Sequence, residues 1–246
     1  MDRLLYTAMT GAKHAEMRQA TVAHNLANAS TPGFRAQLDA FRAVPVVGGN
    51  GLATRAFVVA QTTGADFSPG VIQQTGRELD VALTTEGWLS VQSAGGEAYT
   101  RNGGFVVDQT GMLKTQGGLV VQGENGPLQI PENSRVVFGA DGTVSAIALD
   151  NPAQTVEVGR LKLVNPEKSQ LEKGHDGLFR LRNGQPAQVD ANARVTSGVI
   201  EGSNVNAVDE LVTMISTQRH FDMQIKLMQH ADQNATRATQ ILSLNA

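Results

Sequence analysis

Two stretches of the chain repeat their apolar residues at steps of three and four, and they lie at its opposite ends. From residue 5 the series runs Leu5, Ala8, Ala12, Ala15, Gln19, Val22, Leu26, Ala29, apolar at seven of eight positions. Such spacing draws one stripe along a helix and has the rhythm of a coiled-coil seam. From residue 211 the series Leu211, Met214, Gln218, Phe221, Ile225, Met228, Asp232, Ala235, Thr239, Leu242 is apolar at seven of ten. Asn206 supplies an N-cap, and Asp209 and Glu210 set negative charge in the first turn, where the helix dipole favours it. The second helix is therefore predicted from near 207 to about 242. The first ends near Asn28 or Ala29, because Pro32 disfavours helical geometry at Thr31.

Between these ends the period drops to two. Short β-branched and aromatic runs at 88–92, 99–101, 105–107, 136–138, 143–147, 155–158 and 161–164 read as strands. Gln109-Thr110-Gly111, Asn125-Gly126, Asp141-Gly142 and Asn183-Gly184 punctuate them, the last two suited to type I′ hairpins. This is the texture of an antiparallel all-β body. Residues 37–75 carry Pro45, the Gly48-Gly49-Asn50-Gly51 cluster and Ser68-Pro69-Gly70, and read as a connector or hairpin.

The expected fold is a mainly β central domain with long N- and C-terminal α-helices forming a coiled-coil pair, α+β overall. Its expected divisions are 1–36 for the first helix and its turn, 37–75 for the extended connector, 76–202 for the antiparallel β domain and 203–246 for the second helix. The first seam is mostly alanine and the second carries bulkier Met, Phe and Ile, so small residues facing large ones let two helices approach closely. Gln19 and Gln218 interrupt the seams, either to fix register or because they point to solvent.

Charge narrows the possible partners. Lys and Arg total 20 against 23 Asp and Glu, a net charge of -3, which offers no general attraction to nucleic acid or anionic lipid. Cysteine is absent, which excludes disulfides, thiolate catalysis and Cys-bound metal. Charged residues interrupt the first 30 positions, so no Sec signal is expected there, and no run approaches the ~20 apolar residues of a membrane span.

Chemistry finds little purchase. The glycine cluster at 48–51 lacks the P-loop lysine and its strand-to-helix setting. His14, His24, His175, His220 and His230 form no HExxH and no ligand-spaced pair, and are expected to be surface or packing residues. Glu78 and Asp80 flank Leu79, so on a strand both point one way, as a hydrolase's carboxylate pair must. A strand edge paired with Arg77 is the stronger reading. No catalytic residue, cofactor, metal site or small-molecule substrate is expected.

The sequence HNLANASTPGF at 24–34 ends the first helix. Thr31-Pro32-Gly33-Phe34 fits a type II turn, with Pro presetting one backbone angle and Gly taking the positive one. Asn25 and Asn28 share a helical face and are placed to bond carbonyls that the ending leaves open. The motif resembles the N-terminal signature of the flagellar basal-body rod and hook proteins at Asn25, Leu26, Ala27, Asn28, Thr31, Gly33, Phe34 and Arg35, with His24 departing from it. Ser203-Asn204-Val205-Asn206, Glu210-Leu211, Met214-Ile215 and Gln218-Arg219-His220-Phe221 resemble the C-terminal signature, and blocks at 79–83, 87–89 and 99–105 resemble the β domain. Among family members the proximal-rod proteins are most similar in opening and length, with the distal rod as the alternative. The resemblance implies a structural subunit, not an enzyme, exported without a cleaved signal to the periplasmic rod. It also implies helical assembly with itself and other rod proteins, without nucleic acid or membrane insertion. The contact residues expected on that basis are Leu5, Val22, Asn25, Leu26, Asn28, Thr31, Gly33 and Phe34 near the start, and Leu211, Met214, Ile215, Gln218, Phe221, Ile225 and Met228 near the end.

Overall fold

The computed structural model describes residues 2–45, 56–151, 153–174 and 176–244; the Gly48–Gly51 cluster and His175 lie outside them. Helix α1 (Asp2–Ala27) opens the chain and helix α2 (Ala207–Leu244) closes it, with strands and one short 3-10 turn between. Both boundaries have local causes. The Asn206 side chain accepts from the Val208 N–H at 3.0 Å, capping α2. Past Ala27, the Thr31 N–H donates to Asn28 O at 3.1 Å, and the chain turns.

The chain divides into two compact units. One gathers α1, α2 and the two-stranded sheet of Gln37–Pro45 and Ala56–Ala65. Its helices run antiparallel: Asn25 Nδ2 bonds Glu210 Oε1 at 3.0 Å, while a Cβ built on Gly11 would stand 3.0 Å from the Gln224 side chain. The inner stripe of α1 follows the predicted seam, with Ala8, Ala12, Ala15 and Val22 buried.

The coiled-coil pair does not form. The two helices are unequal, 26 and 38 residues, and only part of the predicted α2 seam is covered. Leu211, Gln218 and Asp232 are exposed, whereas Thr217 and Ala231 are buried and Glu210 and Gln224 face α1. The physical reason lies in side-chain size and polarity. The inner face of α1 is mostly alanine and offers few knobs, so the inward side of α2 is made of Glu210, Thr217, Gln224 and Ala231, with Met214, Phe221 and Met228 only partly buried beside them. The α+β class holds.

The second unit comprises residues 28–36 and the β-rich stretch from 65 to 205. Its largest sheet has nine strands; the main path runs Leu171–Lys173, Phe179–Leu181, Gly96–Thr100, Trp88–Ser93, Val120–Gly123, Leu113–Thr115, Phe105–Val107. A three-stranded meander of Ser134–Phe138, Thr143–Ala148 and Thr155–Arg160 accompanies it. Two short pairs, Val195–Ser197 with Val81–Leu83 and Val199–Glu201 with Ile72–Gln74, complete it. Val81, Leu89, Phe105, Leu113, Val121 and Val144 pack into one core with almost no exposure. A second cluster forms around Trp88, Tyr99, Val164 and Phe179.

The type I′ turns are corrected. Type I′ needs positive φ at two central residues, and Asn133 is the only non-glycine with positive φ among the described residues. Instead Gly142 (φ 88) donates to Gly139 O, and Gly184 (φ 66) to Leu181 O. In each case glycine takes the left-handed position at the end of the turn.

Candidate assembly site

The motif after α1 is built on one glycine. The Phe34 N–H donates to Thr31 O at 3.3 Å around Pro32 and Gly33, whose φ of 67° only glycine adopts freely, as a type II turn requires. A Cβ on Gly33 would lie 2.3 Å from the backbone of Arg101 and Asn102. The same residue thus supplies both the turn and the room for the chain to lie against the β body.

Beyond the turn, Arg35 plunges inward. Its side chain and that of Glu201 are each 1% exposed and meet at 2.6 Å. Glu201 also accepts from Arg101 at 3.2 Å and from the Gly70 N–H at 2.9 Å. Burying ions costs several kcal/mol each, so the carboxylate is tolerable only because it is bonded on both oxygens. Both guanidiniums flank Trp88, their carbons 6.0 and 5.7 Å from its ring centroid. Lys173 donates to Arg35 O at 2.7 Å over the Phe34 ring, and burial lowers its pKa to about 8. Asn204 accepts from the Ala36 N–H at 2.7 Å and donates to Asp66 O at 3.0 Å.

Within the helical unit Asn25 acts as a stand-in peptide group. Its amide accepts from the Gln37 N–H at 2.8 Å and donates to Gln37 O at 3.0 Å and to Glu210. It therefore ties α1 to the strand Gln37–Pro45 and to α2, instead of capping carbonyls of its own helix. Asn28 accepts from the Thr31 hydroxyl at 3.2 Å.

The remaining expected contact residues separate by face. Val22 and Phe34 are buried; Leu26, Met214, Phe221, Ile225 and Met228 are partly buried. Leu5, Leu211 and Ile215 stand out at 39%, 47% and 55% exposure, and Gln218 bonds Asp222 on the outside of α2 at 3.3 Å. Val208 and Val212 join Leu211 and Ile215 at 67% and 61%. At 100° per residue these four share one side of α2, opposite the side that carries Glu210, Thr217 and Gln224.

Three family models match in order along the chain: "Flagella basal body rod protein" over 5–35, "Flagellar hook protein FlgE/F/G D1 domain" over 82–146, and "Flagellar basal body rod FlgEFG protein C-terminal" over 196–241. The flagellar basal-body rod protein FlgF of Escherichia coli (strain K12) is 52% identical over 253 residues, covering all of both chains. The chain belongs to the flagellar basal-body rod protein family. FlgF of Salmonella typhimurium is 50% identical, again over both full lengths. FlgG of Bacillus subtilis (strain 168) is 32% identical, over 95% of this chain and 96% of its own. The likeness is thus to FlgF more than to FlgG, and the chain is a structural subunit of the flagellar rod that assembles with other rod components.

Rod membership leaves the two carboxylates without chemistry, and their surroundings agree. Asp80 is bonded twice by Arg77, at 3.0 and 2.5 Å, and Glu78 reaches Arg135 at 3.4 Å in open solvent. Burial pushes the Asp80 carboxyl up, but the bonds from Arg77 and Thr75 outweigh it, and the net direction is down. A glycosidase's acid needs the opposite shift. The sequence reading missed Glu201, which bonds residues 166 and 100 positions away. No local pattern marks such a residue.

Proposed function

We propose that this rod subunit builds the proximal rod by repeated contacts with copies of itself and with other rod proteins. It lies in the periplasm, reached through the flagellar export route without a cleaved signal, and the finished tube carries torque. The stronger likeness to FlgF than to FlgG members supports the proximal position over the distal one. The observation that carries the reading is the outward face of α2 at Val208, Leu211, Val212 and Ile215. Four large apolar side chains on one exposed helix face gain cover only from a neighbour, and a heterologous contact repeated along a screw axis extends into a tube.

Leu211→Asp tests it. The residue is already exposed, so stability should change by no more than about 0.5 kcal/mol. Circular dichroism should stay that of the parent, while soft-agar swimming and the recovery of complete basal bodies are lost. Normal swimming with Leu211→Asp would remove this face from the assembly.

A further inference from the structure

The β-rich unit holds a cavity of about 470 Å³. Three cations and two carboxylates line it. At its mouth Lys168 and Glu86 pair at 3.1 Å, 56% and 73% exposed, and satisfy one another. At its floor two guanidiniums, Arg35 and Arg101, share the single carboxylate of Glu201. The floor keeps one positive charge beyond what Glu201 balances. Arg101 donates to Glu201 through Nη1 at 3.2 Å and to Thr85 O through Nη2 at 3.1 Å, and each of these nitrogens keeps a second hydrogen for an incoming acceptor, whereas Nε and Nη1 of Arg35 and Nε of Arg101 are sealed away from the cavity. The walls between floor and mouth are apolar, with Phe67, Leu83, Trp88 and Val199, and Ile72, 51% exposed, stands on the rim.

An occupant that suits this space has an acceptor with negative charge at one end and an apolar stem behind it. Arg101, whose side chain retains 10% exposure, is the donor that such a group meets. We propose that the cavity receives a carboxylate-bearing side chain on an apolar stem, presented by a neighbouring subunit of the rod. The proposal rests on the rod-subunit reading above. A flat carboxylate matches the guanidinium fork better than a single point acceptor, and the desolvated floor strengthens the bond. An uncharged stem alone would leave the floor's extra positive charge unbalanced, and a cation would be repelled.

Trp88 is the only tryptophan in the sequence and lines the cavity, so its emission reports on occupancy. The full chain is titrated with 4-phenylbutyrate and, separately, with the matched primary amide. The acid should give a saturable change in Trp88 emission, with the amide at least about tenfold weaker, as loss of a charge-assisted bond requires. Ile72→Asp, at an exposed rim position, should weaken the acid by a similar factor with an unaltered circular dichroism spectrum. Leu211→Asp should leave the titration unchanged. In cells, a photo-cross-linking amino acid at Ile72 should form an adduct with a rod subunit, through a peptide that contains Asp or Glu. No saturable response, an equal response to acid and amide, or adducts only to peptides without an acidic residue would overturn the proposal. Swimming that survives Leu211→Asp while the acid still binds would instead refute the rod-face reading and leave the cavity's chemistry standing.

Discussion

The two units differ in the size of the residues they bury. In the β unit Leu89, Phe105, Leu113 and Val121 are at or below 1% exposure, although Val71, Ile72 and Leu149 stand out at 71%, 51% and 60%. In the helical unit the inner faces are made of Ala8, Ala12, Ala15, Thr217 and Ala231, while Tyr6, Met9, Val212 and Ile215 remain at 51–61% exposure. Burial of large groups supplies the bulk of folding free energy, at about 25 cal/mol per Å². The β unit therefore draws its stability from within. The helical unit gains less from inner faces made mostly of small residues, and on the reading proposed above its exposed apolar side is left for partners.

This contrast can be attacked by graded changes. The largest effect is expected for Phe105→Ala, which empties the β core and should cost about 3–5 kcal/mol by urea denaturation, while Met9→Ala on the outer face of α1 stays within about 0.5 kcal/mol. Equal losses at the two positions would erase the distinction. Next is Glu201→Gln, which leaves two buried guanidiniums facing a neutral amide; a loss of about 3 kcal/mol is expected in the same measurement. Asn25→Ala orphans the N–H of Gln37, and a local loss of about 2 kcal/mol should appear as faster amide exchange at Gln37 and in the C-terminal turn of α1.

The last test is one of pH. Folding lowers the pKa of Lys173 from 10.5 to about 8 by burial, so between those values the unfolded chain holds the proton more firmly than the folded one. Stability should therefore rise with pH across that window, the cost of burying the charge being fully present below it. Urea midpoints between about pH 7 and 10 should show the slope in the parent and lose it in Lys173→Met.

Much of the fold was legible because local rules set it. Asn206 capped the second helix where expected, Pro32 and Gly33 turned the chain, and alternating strands such as Trp88–Ser93 and Thr143–Ala148 followed their pattern. Failures came where the answer depended on a distant partner. Helix α2 carries apolar residues on more than one side, and only the small inner face of α1 decides that Thr217 and Gln224, rather than Leu211 and Gln218, turn inward. The turns at Asp141-Gly142 and Asn183-Gly184 took their form from the flanking loops, which placed glycine one step later than a two-residue hairpin does. At the candidate site Gly33 could be read from its turn and Arg35 only through resemblance. Glu201, in a three-residue strand among unremarkable neighbours, could not be read at all.

The close approach at Gly11 has a meaning that a single molecule does not reveal. A methyl group there would stand 3.0 Å from the tip of the flexible Gln224 side chain, which must give by a few tenths of an ångström. For an isolated chain such a displacement is trivial. In an assembled rod the helix spacing that Gly11 permits recurs with every copy, so a side chain at residue 11 too stiff to yield is expected to show in the dimensions of the array more than in the strength of any one part.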